Sequence, residues 1–263
     1  MKALWDYTVL ALGIALLVLE CLAWGVIALV LYPILPARTG RKVGRWVAMW
    51  AFRAYLGAME ALGAWRLDLE ELDPLRDAGP LIIAPNHPCL LDAVLVVSRL
   101  PNALCVMKAA LVANFLLGPA ARLARYVRND SLRRLLTHGD EELRAGGQLL
   151  LFPEGTRTAG GPVGPFTQAV AALSRRSGVP VQTVVIEADS PFLGKGWRMA
   201  ARPDLPLTYR VRLGRRFDPP QDVRAFTAEL QRYFARELAN PGTAVALGEP
   251  SVPAFEDAPR LRG

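Results

Sequence analysis

An apolar run near the amino end constrains this chain more than any other feature. Residues 8–35, TVLALGIALLVLECLAWGVIALVLYPIL, span 28 positions with a single charged side chain, Glu20. A helix needs roughly 20 apolar residues to cross the hydrocarbon core of a bilayer. A cleaved signal peptide has a shorter apolar core and a small-residue cleavage site. The run therefore predicts a retained membrane anchor.

Four basic residues follow the apolar run: Arg38, Arg41, Lys42 and Arg45. Such a cluster stays on the cytoplasmic side of a membrane, so we expect the remaining chain in the cytoplasm. Glu20 is unfavourable at mid-depth, where a carboxyl costs about 2.5–3.5 kcal/mol on insertion scales. Three arrangements would accommodate it: protonation, a neighbouring helix, or a hairpin that enters only one leaflet.

A second apolar stretch, residues 45–65, carries Arg53 and Glu60. These charges argue against a spanning helix, and its tryptophans suit the headgroup zone, so the stretch predicts an interfacial helix. An ordinary core helix is the alternative, because the pattern is amphipathic. We expect residues 1–65 to form a membrane anchor with this interfacial helix.

The rest of the chain is long enough for one globular domain. Of 263 residues, 52% are hydrophobic and 21% charged, which excludes disorder as the dominant state. Residues 66–240 are predicted to form the domain. Residues 241–263 lack periodicity and are predicted to be a flexible tail. The formal charge of +7 favours an anionic partner, and charge alone does not choose among nucleic acid, membrane surface and phosphorylated substrate.

The cysteines carry little chemical information. Cys21, Cys89 and Cys105 are widely spaced and form neither a C-x-x-C pair nor an even disulfide framework. Together with two histidines, they do not make a zinc-binding set. We therefore expect buried structural thiols, a reducing compartment and no metal.

Short apolar runs alternate with helical patterns beyond residue 65. Four runs predict strands, at 80–86, 148–154, 179–188 and 207–214. Helical spacing covers 89–99, about 131–145, about 166–177 and 222–239. This alternation predicts an α/β fold with a mixed, largely parallel sheet flanked by helices.

A histidine stands at the first junction between strand and helix. In LIIAPNHPCLLDAV, residues 81–94, Pro88 suits the first position of a helix and forces His87 into an extended conformation. Asp92, one turn into the predicted helix, can then reach back to one ring nitrogen of His87. That contact would fix the tautomer and leave the other nitrogen as a general base. The alternative is a capping histidine with a solvated aspartate.

A second motif lies at the end of a predicted strand, in LLLFPEGTRTAGG, residues 149–161. Glu154, Gly155, Thr156 and Arg157 follow one another at this strand end. A turn that presents amides, a hydroxyl and a guanidinium together would be a receptor for a phosphate group.

The two motifs, N-H-P-x-x-x-D and F-P-E-G-T-R in this order, resemble those of the glycerolipid acyltransferase family, in particular the 1-acylglycerol-3-phosphate acyltransferases. The resemblance spans roughly residues 40–215. It implies that His87 activates an acceptor hydroxyl for attack on an acyl thioester and that Asp92 orients His87. It also implies that Lys108 and Arg128 hold the acceptor phosphate.

The remaining family motifs are implied in the same way. Residues 154–157 match the third motif, which serves acceptor binding, and Pro180 matches a hydrophobic motif linked to the acyl donor. The resemblance thus implies a membrane-associated enzyme that acylates lysophosphatidic acid to phosphatidic acid. The donor would be acyl-CoA or acyl carrier protein, with no cofactor, metal or nucleic acid. The expected location is a bacterial inner membrane, with the catalytic domain on its cytoplasmic side.

One departure from the family pattern keeps a second acceptor class open. Where the family often has a basic segment after the third motif, this chain has Thr167, Gln168 and Ala169. The alternative is an acyltransferase for another lipid acceptor, such as an amino-lipid or an aryl-polyene-type lipid. Serine hydrolases and nucleotide-binding enzymes are disfavoured, because the chain lacks a G-x-S-x-G elbow and a G-x-x-x-x-G-K-[ST] loop.

Overall fold

The computed structural model describes residues 2–107, 109–115, 117–198 and 201–239. Lys108 and the predicted tail lie outside the described residues. Seven strands form one sheet: β1 (Trp65–Asp68), β2 (Leu81–Pro85), β3 (Ala103–Met107), β4 (Val127–Arg128), β5 (Gln148–Leu150), β6 (Val181–Ala188) and β7 (Leu207–Phe217). Their spatial order is β1-β7-β6-β2-β5-β3-β4, and every neighbouring pair is parallel except β6 and β7. The predicted mixed, largely parallel sheet is confirmed.

Eight α-helices accompany the sheet in the described part of the chain: α1 (Lys2–Ile34), α2 (Ala37–Ala61), α3 (Asp92–Val97), α4 (Ala109–Ala113), α5 (Gly118–Leu123), α6 (Leu132–Arg144), α7 (Ala169–Ser177) and α8 (Val223–Ala239). A 3-10 helix covers Glu70–Asp77.

The helices cover both faces of the sheet. Successive side chains of β2 therefore enter two different hydrophobic cores. Leu81 and Ile83 enter a core with side chains of α2, α3 and the 3-10 helix. Ile82 and Ala84 enter a second core with α6, α7 and α8. Because both faces are covered, β2 is buried at every position, as expected for a central parallel strand.

Several boundaries differ from the sequence-based prediction. Strands β1, β3 and β4 were not predicted from the sequence, and β4, with two residues, is too short to show a period. The helix predicted from residue 89 begins at Asp92. Pro88 consequently lies in a turn rather than at the first helical position, because the Cys89 amide donates to the Asp92 carboxylate instead of entering a helix.

Helix α1 lies lengthwise against the rest of the protein. Near its amino end, Asp6 is buried and forms an ion pair with Arg202, and near its carboxyl end the Arg125 guanidinium lies 5.6 Å from the Tyr32 ring centre. Between them, Val9 and Ala28 are fully buried. The opposite side of α1 exposes large apolar side chains, and the helix is long and apolar enough to cross a membrane.

Helix α2 has one buried face and one exposed face. Its inner face is part of the core, with Met49, Leu56 and Met59 buried, whereas Trp46 and Trp50 are 54% and 45% exposed. Two of the four basic residues after the apolar run are used internally: Arg45 is 1% exposed and, like Arg41, pairs with Glu142. Arg38 and Lys42 remain exposed at the surface.

Candidate active site

Five parallel strands, β6, β2, β5, β3 and β4, end at the same edge of the sheet. In open α/β sheets, ligands bind outside the carboxyl ends of the strands. This edge carries His87 after β2, Glu154 shortly after β5, and Arg128 at the end of β4. Pro180 precedes β6 and lies at the opposite edge, where its carbonyl accepts from the Ile82 amide (3.1 Å).

The turn after β2 brings His87 and Asp92 together. His87 Nδ1 lies 2.7 Å from Asp92 Oδ2, and the same oxygen accepts a hydrogen bond from the Cys89 amide at 2.9 Å. Asp92 is fully buried, while the His87 side chain is 17% exposed. The contact orients the imidazole so that Nε2 is the ring nitrogen available to a substrate.

The second oxygen of Asp92 contacts a thiol. Cys89 Sγ lies 3.0 Å from Asp92 Oδ1. Burial raises the pKa of the Cys89 thiol well above its ordinary value, with the Asp92 charge acting in the same direction, so Cys89 is a neutral donor. Burial also raises the pKa of Asp92, and the hydrogen bonds from His87 and Cys89 oppose that rise. The sequence assigned no such contact to Cys89.

Neighbouring segments fix the position of His87. The Phe152 ring stacks on the imidazole, with 3.8 Å between ring centroids. The Thr158 amide donates to the His87 carbonyl at 2.8 Å. Asn86 is buried, donates to the Ile186 carbonyl (2.9 Å) and accepts from the Ile186 amide (2.7 Å). Asn86 thus extends the pairing of β2 with β6 up to His87. The sequence did not predict the contacts of Phe152 and Thr158 with His87.

Glu154 is a buried carboxylate that shapes the turn after β5. It accepts hydrogen bonds from the Thr158 hydroxyl (2.7 Å) and the Gly164 amide (2.8 Å). A side chain at position 164 would not fit, since its Cβ would lie 2.6 Å from Glu154 Oε2. Gly155 has φ +67°, which favours glycine, and Thr156 is exposed. Glu154 therefore fixes the turn that presents Gly155 and Thr156 to solvent.

Arg157 contacts main-chain carbonyls. Its Nη1 donates to the Leu193 and Gly194 carbonyls, each at 2.8 Å. The predicted phosphate ligand is thus tied to the segment after β6. A guanidinium has five N–H donors, so these two bonds leave Nε and Nη2 as further donors.

Arg128 lies at the edge of the sheet, farther along the same carboxyl ends. It pairs in register with Met107, the residue before Lys108, and its side chain is 47% exposed, with Nη2 3.1 Å from Asp130. In the described part of the chain, no three His, Cys, Asp or Glu side chains gather into a metal site.

Two cavities lie near this edge. One has a volume of about 90 Å³ and an almost wholly apolar lining from α1, α2, α5, the end of β3 and the residue before β4, including Ala48, Ala51, Ala120, Met107 and Tyr126. The other is open, measures about 490 Å³ and lies between residues 158–162 and 190–197. Glu20 lines the first cavity together with residues of α2, so it lies beside a neighbouring helix, one of the three arrangements considered for it.

Comparison with known proteins assigns the domain. Residues 66–187 match the family model described as Acyltransferase. The 1-acyl-sn-glycerol-3-phosphate acyltransferase of Pseudomonas aeruginosa is 27% identical over 209 residues, which cover 76% of each chain. The human 1-acyl-sn-glycerol-3-phosphate acyltransferase beta is 29% identical over 136 residues, covering 48% of this chain and 49% of that protein.

A solved structure shares the fold. The 1-acyl-sn-glycerophosphate (LPA) acyltransferase PlsC from Thermotoga maritima superposes with a TM-score of 0.69 at 17% identity, covering 90% of this chain and 96% of that one. The shared fold includes most of the chain described above.

Proposed function

Since the chain is an O-acyltransferase of the glycerolipid acyltransferase family, we propose that it moves a fatty acyl group from acyl-CoA or acyl carrier protein to the free hydroxyl of lysophosphatidic acid. The observation that supports this most directly is the 2.7 Å contact of His87 Nδ1 with the buried Asp92 carboxylate, beside the turn of residues 154–157. No cofactor is required, because the thioester itself is the activated group.

His87 acts as the general base in this proposal. Nε2 takes the proton of the acceptor hydroxyl as its oxygen attacks the thioester carbonyl, and the Asp92 carboxylate stabilises the imidazolium that forms. The carbon–sulfur bond then breaks, and the leaving thiolate takes the proton from His87. Main-chain amides of the turn after β5 are the donors we assign to the tetrahedral oxyanion.

The acceptor phosphate is assigned to the basic residues of the same edge. We assign Lys108, Arg128 and Arg157 to it, with the Thr156 hydroxyl as a further donor. The Gly155 amide already donates to the Phe152 carbonyl (3.1 Å), so Gly155 serves the shape of the turn. The carbonyl contacts of Arg157 hold its guanidinium in one orientation, so that Nε and Nη2 are presented to an anion without a further loss of side-chain freedom. Glu154 takes part only through the shape of its turn.

The apolar cavity is the place we propose for an acyl chain. Met107 joins its lining to the carboxyl edge of the sheet, and several alanines leave room there that larger side chains would fill. The exposed apolar side of α1, together with Trp46 and Trp50, would contact the cytoplasmic surface of the membrane, from which both lipid substrates enter.

A different lipid acceptor is the second candidate. Residues 167–169 carry no basic side chain, and the Thr167 amide and hydroxyl both donate to the Pro153 carbonyl, at 2.8 and 3.0 Å. This segment therefore supports the turn after β5 and adds no positive charge for a phosphate.

An acceptor panel tests the proposal. Purified protein receives one labelled acyl-CoA, or the same acyl group on carrier protein, and either lysophosphatidic acid or a phosphate-free amino-lipid acceptor. We expect phosphatidic acid as the main product, and none from a His87→Ala control. Preference for the phosphate-free acceptor would replace the lysophosphatidic acid assignment with the second candidate.

A further inference from the structure

Residues 190–197, which follow β6, contact both parts of the active site. The segment lies in neither sequence motif and is held together by its own bonds. The Gly194 amide donates to the Pro191 carbonyl (2.9 Å), the Trp197 amide to the Gly194 carbonyl (3.2 Å), and the Phe192 and Trp197 rings meet edge to face. It is therefore a structured turn rather than a loose connection.

The Leu193 carbonyl joins this segment to the two motifs. It accepts a hydrogen bond from the Leu90 amide (3.2 Å), which lies in the turn between His87 and Asp92. It also accepts from Arg157 Nη1 at 2.8 Å, and the same nitrogen donates to the Gly194 carbonyl. One carbonyl oxygen thus connects the turn of the catalytic pair, the segment after β6 and the turn after β5.

The backbone of the segment is shaped for this contact. Leu193 has φ +57°, a conformation that residues other than glycine rarely adopt and that persists where surrounding contacts impose it. At position 194, a Cβ would lie 2.8 Å from the Pro191 carbonyl oxygen and 3.4 Å from that of Pro88. At this glycine the Pro191 carbonyl leaves no space for a Cβ, and the segment lies within contact distance of the Pro88 carbonyl in the catalytic turn.

We infer that residues 190–197 are a positioning element for the His87–Asp92 pair and that Arg157 is the residue that holds this element in place. The turn of residues 88–91 is fixed from within by the Cys89 amide on Asp92, and from outside by the Leu90 amide on Leu193. If Arg157 no longer holds the Leu193 and Gly194 carbonyls, the outer support moves and the imidazole turns away from its carboxylate. Arg157 then has a role that does not depend on an acceptor phosphate.

The chain offers a direct reporter for this inference. It has two histidines, and His138 is exposed on α6. In a His138→Gln background, every histidine side-chain signal in a nuclear magnetic resonance spectrum belongs to His87. The downfield Nδ1–H resonance of an imidazole bonded to a buried carboxylate can then be followed in the protein without substrate.

Two variants disturb the element in different ways. Gly194→Ala forces a Cβ against the Pro191 carbonyl within the segment, and Arg157→Gln removes the guanidinium from which the Leu193 and Gly194 carbonyls accept. We expect the Nδ1–H resonance to broaden or disappear in both, and kcat to fall roughly ten- to hundredfold, as for a catalytic group displaced by about 1 Å. Arg157→Lys should restore part of the signal, because an ammonium can donate to the same carbonyls.

A matched control separates this effect from a general effect of adding a methyl group. Gly57→Ala adds the same methyl to α2, where a Cβ meets nothing within 4 Å, and should leave both the resonance and kcat unchanged. An unchanged resonance in folded Arg157→Gln and Gly194→Ala would overturn the inference.

This inference rests on the proposed function only where kcat is measured, because kcat there refers to acyl transfer to lysophosphatidic acid. If the acceptor panel shows no transfer to lysophosphatidic acid while the resonance responds as expected, the positioning role stands and the acceptor assignment fails. If transfer occurs but Arg157→Gln changes only the KM for lysophosphatidic acid, and not the resonance, Arg157 is a phosphate ligand alone and the positioning role fails.

Discussion

Replacing Asp92 with asparagine separates charge from shape at the catalytic pair. The asparagine carbonyl oxygen can occupy the place of Oδ2 and accept from His87 Nδ1 and the Cys89 amide, and its amino group then faces Cys89 Sγ. Asp92→Asn therefore keeps the turn intact. It removes the negative charge that stabilises a protonated His87, and it also replaces the acceptor of the Cys89 thiol with an N–H donor.

The loss of rate follows from the geometry. His87 Nδ1 and Asp92 Oδ2 are 2.7 Å apart in a buried setting. With the charge centres roughly 4 Å apart and an effective dielectric constant of about 20, imidazolium and carboxylate attract by about 4 kcal/mol. Because about 1.4 kcal/mol changes a rate tenfold, kcat should fall about 10³-fold.

Asp92→Asn should lower kcat without lowering the stability of the fold. Burial raises the pKa of Asp92, so the folded chain binds a proton more readily than the unfolded chain does. Such a group stabilises the fold below its unfolded pKa, and that contribution is lost as the pH rises through the folded pKa. At pH 7 the ionised Asp92 costs stability, and Asp92→Asn should raise the melting temperature or leave it unchanged.

The assay combines single-turnover transfer of labelled acyl-CoA with thermal unfolding of the same preparation. Asp92→Ala is the comparison variant, since it also leaves the Cys89 amide without its acceptor. A loss of kcat below about tenfold in Asp92→Asn, or under about 1.4 kcal/mol, would show that Asp92 only caps the turn.

Three further changes test other parts of the structure. His87→Ala should abolish acyl transfer while membrane attachment and folding persist, as measured by sedimentation and circular dichroism, because His87 supplies a proton acceptor rather than core area; near-normal turnover would refute the base assignment. Deletion of residues 1–36 should release only part of the protein from membranes, since Trp46 and Trp50 still face outward. Complete release at moderate salt would contradict this. Ala120→Phe should fill the apolar cavity and shift the preferred donor to shorter acyl chains in a competition assay, whereas Gly57→Ala should not.

Sequence patterns within short segments predicted four of the strands and the His87–Asp92 contact. Apolar runs predicted the four segments that contain β2, β5, β6 and β7. A histidine, a proline and an aspartate within six positions predicted the contact of His87 with Asp92, whose Nδ1 and Oδ2 atoms lie 2.7 Å apart. These features depend on residues close together in sequence. Strand β4 has two residues, so no period could reveal it, and its existence depends on pairing with β3.

Contacts between distant residues could not be predicted in this way. Arg45 belongs to the basic cluster from which the cytoplasmic side was predicted, yet it is buried and pairs with Glu142, 97 positions away. Likewise, nothing in the letters of residues 190–197 indicated that Leu193 accepts from Leu90 and Arg157. Such contacts arise only once the sheet sets the order of its strands, which a single sequence does not display.

The ion pair of Asp6 with Arg202 also has a consequence for biosynthesis. The two residues are 196 positions apart, so α1 leaves the ribosome well before Arg202, one of its partners, has been made. At about 5–20 residues per second, this interval lasts roughly 10–40 s. During that time the apolar side of α1 that later faces Met59 and α5 has no protein to cover it. A lipid surface that takes up the nascent helix would cover that side until the catalytic domain folds onto it.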